Sequence, residues 1–175
     1  MQVLRLGALI ALLAISYTAG SETRTDEDVL LALPWKQFDQ TLGSGWRVYA
    51  ARDEHLLAAR LIERYLGGRS DLTPVQRAVS HFHAGAELAR VNLHKEAVLH
   101  FDQAIVPAGS KGVPEDWNEL VTANRAFLLG DRAALLACKQ RVDAMRSPAF
   151  RDTFALLLEY LGQPWGAWDD APKQH

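Results

Sequence analysis

Apolar residues recur at spacings of three and four along nearly the whole chain beyond residue 45, and long runs of β-branched residues are absent. This periodicity is typical of amphipathic α-helices that bury one face. No segment has a convincing strand pattern. The sequence therefore predicts an all-α fold with six main helices, at residues 52–68, 70–92, 93–105, 114–131, 131–145 and 147–164.

Several of these helices have recognisable ends. Thr73 stands where an N-cap belongs, and Pro74 follows it at the first helical position. Asp131 and Ser147 are N-cap candidates of the same kind, and Gly67-Gly68 is a stop signal. The order is helix, tight turn, helix, longer turn. That rhythm indicates stacked helical hairpins.

One unit, at residues 78–109, resembles a tetratricopeptide repeat. Counted from Ala78, the small and aromatic residues typical of the repeat fall on four positions: Gly85, Ala97, Phe101 and Ala104. Small residues are needed where the two helices of a hairpin cross closely. His81, Leu88 and Gly109 stand where Trp, Tyr and Pro are usual. Weaker echoes flank this unit: Ala58 with Ile62, and Ala134 with Cys138.

The resemblance covers about residues 45–145 and implies a short stack of about three helical hairpins, a tetratricopeptide-like α-α superhelix. Such a stack needs a cap at each end, because the terminal units would otherwise expose an apolar face. We therefore divide the chain into a signal peptide at 1–20, a lead-in and cap at 21–44, a repeat domain at 45–162 and a tail at 163–175.

The segment LPWKQFDQTLGSGWR, residues 33–47, has two candidate roles, a ligand loop and an N-terminal cap. It has too few glycines for a phosphate-binding loop, and it lacks the Lys-Ser/Thr pair of one. We expect a cap in which Trp35 and Phe38 are buried. Ser44 or Gly45 would begin the helix that carries Trp46. Residues 21–30 are expected to be a polar, flexible lead-in.

The tail has two tryptophans, Trp165 and Trp168, three residues apart. We expect both to fold back on residues 149–161. The alternative is an exposed aromatic contact for a partner.

The first twenty residues have the order of a secretory signal. Arg5 precedes the ten-residue apolar run LGALIALLAI, and small residues follow it, with Thr18 and Gly20 at the −3 and −1 positions. The run is too short to span a bilayer. Cleavage would leave Ser21 as the first residue of an exported, periplasmic or secreted protein.

Charge narrows the choice of partners. The whole chain has a net charge of −2, and loss of Arg5 with the signal leaves 18 basic against 21 acidic residues, a net charge of −3. A weakly acidic chain without a basic block is not expected to bind nucleic acid. It is also not expected to insert stably in a membrane after signal removal.

Candidate chemistry is sparse. His81 and His83 are two apart on one helix and point to different faces, whereas His83 and Glu87 share a face. A pair is too few for a metal site. Cys138, the only cysteine, is expected in the core, with a reactive or intermolecular thiol as the alternative. We predict no cofactor, no metal and no catalytic residue.

The function favoured by the sequence is an interaction module that binds a peptide or helix of a protein partner. The repeat resemblance implies that the first helix of each hairpin lines a groove. We assign six groove residues: Phe82, Ala86, Arg90, Asn118, Thr122 and Arg125. Arginines in such a groove suit a segment with a carboxylate. The alternatives are a small hydrolytic or metal-dependent envelope enzyme and an accessory subunit of an envelope complex.

Overall fold

The computed structural model describes residues 26–146 and 148–170. The predicted all-α class is confirmed: the described residues contain helices and no strand. Two short turns accompany the α-helices, a π-helical one at Lys36–Gln40 and a 3-10 one at Ala167–Asp170. The α-helices are α1 (Asp26–Leu31), α2 (Arg47–Ala50), α3 (His55–Gly68), α4 (Pro74–Arg90), α5 (His94–Gln103), α6 (Trp117–Leu128), α7 (Arg132–Asp143) and α8 (Arg151–Glu159).

Each main helix packs on its neighbour in sequence, from α3 through α8, and α8 also packs on α6. Two tight turns build the hairpins. The α4–α5 turn contains Asn92 at φ 60°, and the α6–α7 turn contains Gly130 at φ 67°. These left-handed residues reverse the chain within a few positions. The result is a helical stack, while its tetratricopeptide-like arrangement stays a prediction.

The helices are shorter than predicted at several ends. The first main helix begins at His55 rather than residue 52, because Asp53 has φ 59° and interrupts the helical path. The last one begins at Arg151 rather than at the predicted Ser147, which lies outside the described residues. Two predicted caps are present. The Thr73 side chain accepts from the Gln76 N–H in a capping box, and Asp131 accepts from the Ala134 N–H.

The segment at 33–47 does pack on the first main helices, as a cap would. The buried Phe38 ring stacks on Tyr65 of α3, with centroids 3.7 Å apart. Trp35 is only half-buried, and its Nε1–H donates to Ser80 Oγ at 3.0 Å. The predicted helix start was two or three residues early: α2 begins at Arg47.

Residues 26–30 of the expected lead-in form most of a short helix, α1. Its first turn contains Asp26, Glu27 and Asp28, and acidic side chains stabilise the N-terminal end of a helix. α1 packs on α3, and Glu27 pairs with Arg64 of that helix. The predicted signal at 1–20 lies outside the described residues.

The predicted close crossing of α4 and α5 is present at Gly85. A Cβ built on Gly85 would lie 2.9 Å from Phe101 Cε1 and 3.2 Å from the Ala97 carbonyl oxygen. Ala97 and Phe101 are both fully buried. Only a residue without a side chain leaves room for the Phe101 ring at this point.

We therefore expect Gly85→Leu to lower the free energy of unfolding by about 1–3 kcal/mol, because it overpacks the crossing. Thermal unfolding followed by circular dichroism measures the change. Gly67→Leu is the matched control, since Gly67 is an exposed helical glycine and a Cβ added to it would meet nothing within 4 Å. Equal melting temperatures for the two variants would contradict a tight crossing at Gly85.

Candidate functional site

Two of the predicted groove residues on α4 are packed within the stack. Phe82 lies between Phe101 and Trp117, with ring centroids 5.5 Å and 5.2 Å away. Ala86 is buried at 9% exposure. The Phe82 contacts join α4 to α5 and to the start of α6. Both Phe82 and Ala86 are apolar and offer no side-chain group for polar recognition.

Asn118 and Thr122 on α6 bind the chain's own backbone. Asn118 Oδ1 accepts from the Val106 N–H at 3.0 Å, and its Nδ2 donates to the Val106 carbonyl at 2.8 Å. Thr122 Oγ1 donates to the Asn118 carbonyl at 2.7 Å. This two-way clamp by Asn118 fixes the connection after α5 against α6. The sequence could not distinguish such a clamp from an exposed amide in a groove.

The two arginines have separate surroundings. Arg125 Nε lies 2.8 Å from Asp102 Oδ1 of α5, and both side chains are about half exposed. Arg90 Nη2 lies 2.8 Å from Asp169 Oδ2 in the C-terminal tail. The Arg90 guanidinium carbon also lies 5.1 Å from the centroid of the Trp165 ring. Arg90 is thus bound by an aromatic ring and a carboxylate, and a carboxylate is the group predicted for a partner segment.

The tail reaches this surface through both of its tryptophans. Trp165 Nε1–H donates to Asn124 Oδ1 of α6 at 3.1 Å. Trp168 makes edge contacts with Phe127 of α6 and Tyr160, at centroid distances of 5.8 Å and 6.1 Å. The Tyr160 contact agrees with the expectation that the tryptophans fold back on residues 149–161. Trp165 differs, because its partners lie on α4 and α6.

We call the surface formed by Arg90, Asn124, Phe127 and Tyr160 the tail cradle. The sequence pattern did not lead us to Asn124. It is 3% exposed, and its Nδ2 donates to the Leu120 carbonyl at 2.9 Å. A polar residue in the middle of an apolar helix face was the available signal, since a buried amide needs partners.

A second polar cluster lies between residues 35–40 and α4. Asp39 is fully buried, and its carboxylate accepts from Ser80 Oγ at 3.0 Å and lies 3.0 Å from His83 Nδ1. Gln40 also donates to it. Burial alone would raise the pKa of Asp39, but the hydrogen bond and charge of His83, with the hydrogen bonds of Gln40 and Ser80, lower it overall. The carboxylate therefore stays ionised in the core.

This cluster lacks the order of a catalytic triad. A nucleophilic serine needs a base on its own hydroxyl. Here Ser80 Oγ donates to Asp39, and His83 contacts the same carboxylate rather than the hydroxyl. The arrangement therefore ties residues 35–40 to α4.

Histidines two apart on α4 do point to different faces, as predicted. His83 faces Asp39, and His81 Nδ1 lies 3.0 Å from His100 Nδ1 on α5. Glu87, predicted to share a face with His83, lies 2.7 Å from His55 Nδ1 of α3. Within residues 26–146 and 148–170, no group of three or more candidate ligands is placed to hold a metal ion.

His81 links protonation to stability. Burial, His100 and Arg77 lower the pKa of His81 to about 4, and Glu63 opposes the shift. His100 Nε2 lies 3.1 Å from Glu63 Oε1, which continues the chain of contacts to α3. The unfolded chain binds a proton at His81 below about pH 6.5, whereas the folded chain binds it only near pH 4. The neutral imidazole is therefore compatible with full stability of the folded state above about pH 6.5. The contribution of His81 to stability is lost as the pH falls from about 6.5 towards 4.

We expect His81→Gln to reduce the loss of melting temperature between pH 7 and pH 4, because the variant has no imidazole to protonate on unfolding. Melting curves at several pH values for the wild type and the variant give the difference. His94→Gln is the control for removal of a histidine elsewhere. A pH dependence that is the same in the wild type and His81→Gln would contradict this role.

Cys138 is buried, as predicted for a core residue, and its thiol is free. Burial and the nearby Glu119 carboxylate raise the pKa of its thiol to about 11, against the opposing effect of Arg141. At neutral pH the sulfur is therefore a protonated thiol. Nucleophilic chemistry needs the thiolate.

No protein-family model, curated protein or solved structure matches the chain. Among the described helices, none combines the length and apolar character needed to cross a bilayer.

Proposed function

We propose that the protein is an exported interaction module that binds a peptide or helix of a protein partner. The proposal rests on the surroundings of the Arg90 side chain. Arg90 lies at the end of α4, is 30% exposed in its side chain, and binds a carboxylate and a tryptophan ring together. A guanidinium in such surroundings is suited to recognition of a segment with those two groups.

The helical stack supplies the rigidity that this function needs. Helices α4 and α6 position Arg90 and Asn124, and their packed faces rest on the buried core that includes Leu88, Ala123 and Phe127. A partner segment would bind to a preformed surface, and little ordering of the helices would oppose binding. The proposed mechanism is passive recognition without a chemical step.

Export remains part of the proposal and has its own test. The protein recovered from its native compartment should have the mass of a chain that begins near Ser21. Intact-mass measurement decides this, and a retained Met1 would refute signal cleavage. This result bears only on where the protein is located, and it does not test binding at the tail cradle.

Partner binding is tested with the mature chain as bait and quantitative recovery of bound proteins from the native compartment. Recovery of a specific protein should fall in an Arg90→Ala/Arg125→Ala double variant. The control is Arg132→Ala/Lys111→Ala, which removes the same charge from exposed positions. An equal loss in both variants would indicate a general charge effect, and an unchanged list of partners would place the site elsewhere.

A further inference from the structure

The C-terminal tail forms a hook around the Arg90 side chain. Trp165 lies beside the guanidinium at 5.1 Å, and Asp169 pairs with it at 2.8 Å. Between them, Gly166 has φ 89°, and a Cβ on it would lie 2.9 Å from Arg90 Nη1. Glycine therefore serves both the turn and the close approach. The 3-10 turn at Ala167–Asp170 brings the carboxylate back to the arginine.

Both tryptophans of the tail also have contacts in the tail cradle. Asn124 Oδ1 accepts the Trp165 indole N–H at 3.1 Å, and the Phe127 and Tyr160 rings contact Trp168. Asn124 is almost fully buried. A phenylalanine in place of Trp165 would leave its carbonyl oxygen without this donor, and an unpaired buried polar atom is costly. The cradle thus distinguishes tryptophan from other aromatic residues.

The tail is held on α4 and α6 by side-chain contacts: the Trp165–Asn124 hydrogen bond, the Trp168–Phe127 ring contact and the Asp169–Arg90 ion pair. Its backbone hydrogen bonds Gln163 N–H to Tyr160 O, Ala167 N–H to Pro164 O and Asp169 N–H to Gly166 O lie within the tail or join it to the end of α8. None of these three reaches α4 or α6. The Asp169 side chain is 48% exposed, and ion pairs at such positions contribute about 0–1 kcal/mol.

We propose that the tail cradle is a recognition site for a linear segment with tryptophan followed four residues later by a carboxylate, and that the tail is its intramolecular occupant. The inference rests on the proposed function and names the chemistry of the partner segment. A partner would displace Trp165 and Asp169 and present its own tryptophan and carboxylate to Asn124 and Arg90. Since a tethered segment has an effective concentration on the order of millimolar, the tail sets a threshold that a partner must exceed.

The test uses a fluorescent peptide of the chain's own residues 161–170, LGQPWGAWDD, as the probe. Binding to the full chain is measured by anisotropy for the wild type and for Trp165→Ala/Asp169→Ala, in which the tail has lost its two Arg90 contacts. We expect at least tenfold tighter binding to the variant. A second peptide with phenylalanine at the Trp165 position should bind more weakly than the first.

Two further variants place the binding at the cradle. Arg90→Ala added to the tail variant should weaken peptide binding about fivefold or more, whereas Arg132→Ala in the same background should leave it unchanged. Circular dichroism verifies that each variant is folded. If the double tail variant does not fold, Gly166→Ala replaces it, with Gly162→Ala as the control. Gly162 also has positive φ, 93°, but nothing lies within 4 Å of a Cβ there.

The proposal is overturned if the peptide binds the wild type and the tail variant equally, or if it binds neither. A dimer of the wild type in light scattering that dissociates in the tail variant would also overturn it, because the tail would then bind a second copy. The two proposals can fail separately. If the peptide test fails but partner recovery still depends on Arg90, the proposed function stands, and only the idea that the tail mimics a partner segment is lost.

Discussion

Replacing Gly45 by alanine is expected to lower the free energy of unfolding by at least about 3 kcal/mol. Gly45 has φ 55°, and a Cβ there would lie 1.9 Å from the Phe38 carbonyl oxygen, against backbone atoms that no side-chain rotation can move. The loop would have to open and withdraw Phe38 from Tyr65. Chemical denaturation followed by circular dichroism measures the loss.

Gly43, in the same loop, provides the control. Gly43 also has positive φ, 69°, but nothing lies within 4 Å of a Cβ built on it. Gly43→Ala should therefore cost only the conformational strain of about 1–2 kcal/mol. Equal stabilities of Gly45→Ala and Gly43→Ala would contradict the close approach of Gly45 to the Phe38 carbonyl oxygen.

Asp39→Ala is the second substitution with a large expected effect, a loss of about 3–5 kcal/mol. The buried carboxylate is the shared acceptor of Ser80 and Gln40 and the partner of His83. Its removal leaves these groups without their partner in the core and removes the contacts of Asp39 that join residues 39–40 to α4. Thermal and denaturant unfolding both report the change.

An exposed aspartate is the matched comparison. Asp102 pairs with Arg125 at the surface, and Asp102→Ala should change stability by no more than about 1 kcal/mol. Ser80→Ala should cost about 1–3 kcal/mol, because it removes one hydrogen-bonding group and keeps the carboxylate. A value for Asp39→Ala as small as that for Asp102→Ala would contradict a buried polar network between residues 39–40 and α4.

The helices and the Gly85 crossing could be predicted because they depend on local spacing. Thr73, Pro74 and Asp131 act within one helical turn, and the hairpin that brings Gly85 to Ala97 is closed by a short turn. The bounds were less accurate where backbone geometry decided them. Asp53 at φ 59° ends a helical path that its amphipathic pattern would have continued.

The polar contacts could be predicted only in part. The assignment of Arg90 to a groove that receives a partner's carboxylate stays a prediction, and in the structure its side chain pairs with Asp169 of the chain's own tail. Asn124 and Asp39 were missed because their partners are far away in sequence: Trp165 is 41 residues from Asn124, and His83 is 44 residues from Asp39. Periodicity shows which residues are buried, but it does not show which distant polar group meets them.

The central claim is that Arg90 on α4 belongs to a recognition surface that the tail covers reversibly. Hydrogen exchange of the full chain tests it most directly, with the wild type and Arg90→Ala compared at the level of peptides. We expect the amides of residues 163–170 to exchange at least threefold faster in the variant, while those of α4 and α6 keep their protection. Unchanged exchange of the tail would contradict it, because Arg90 would then contribute nothing to holding an occupant on this surface.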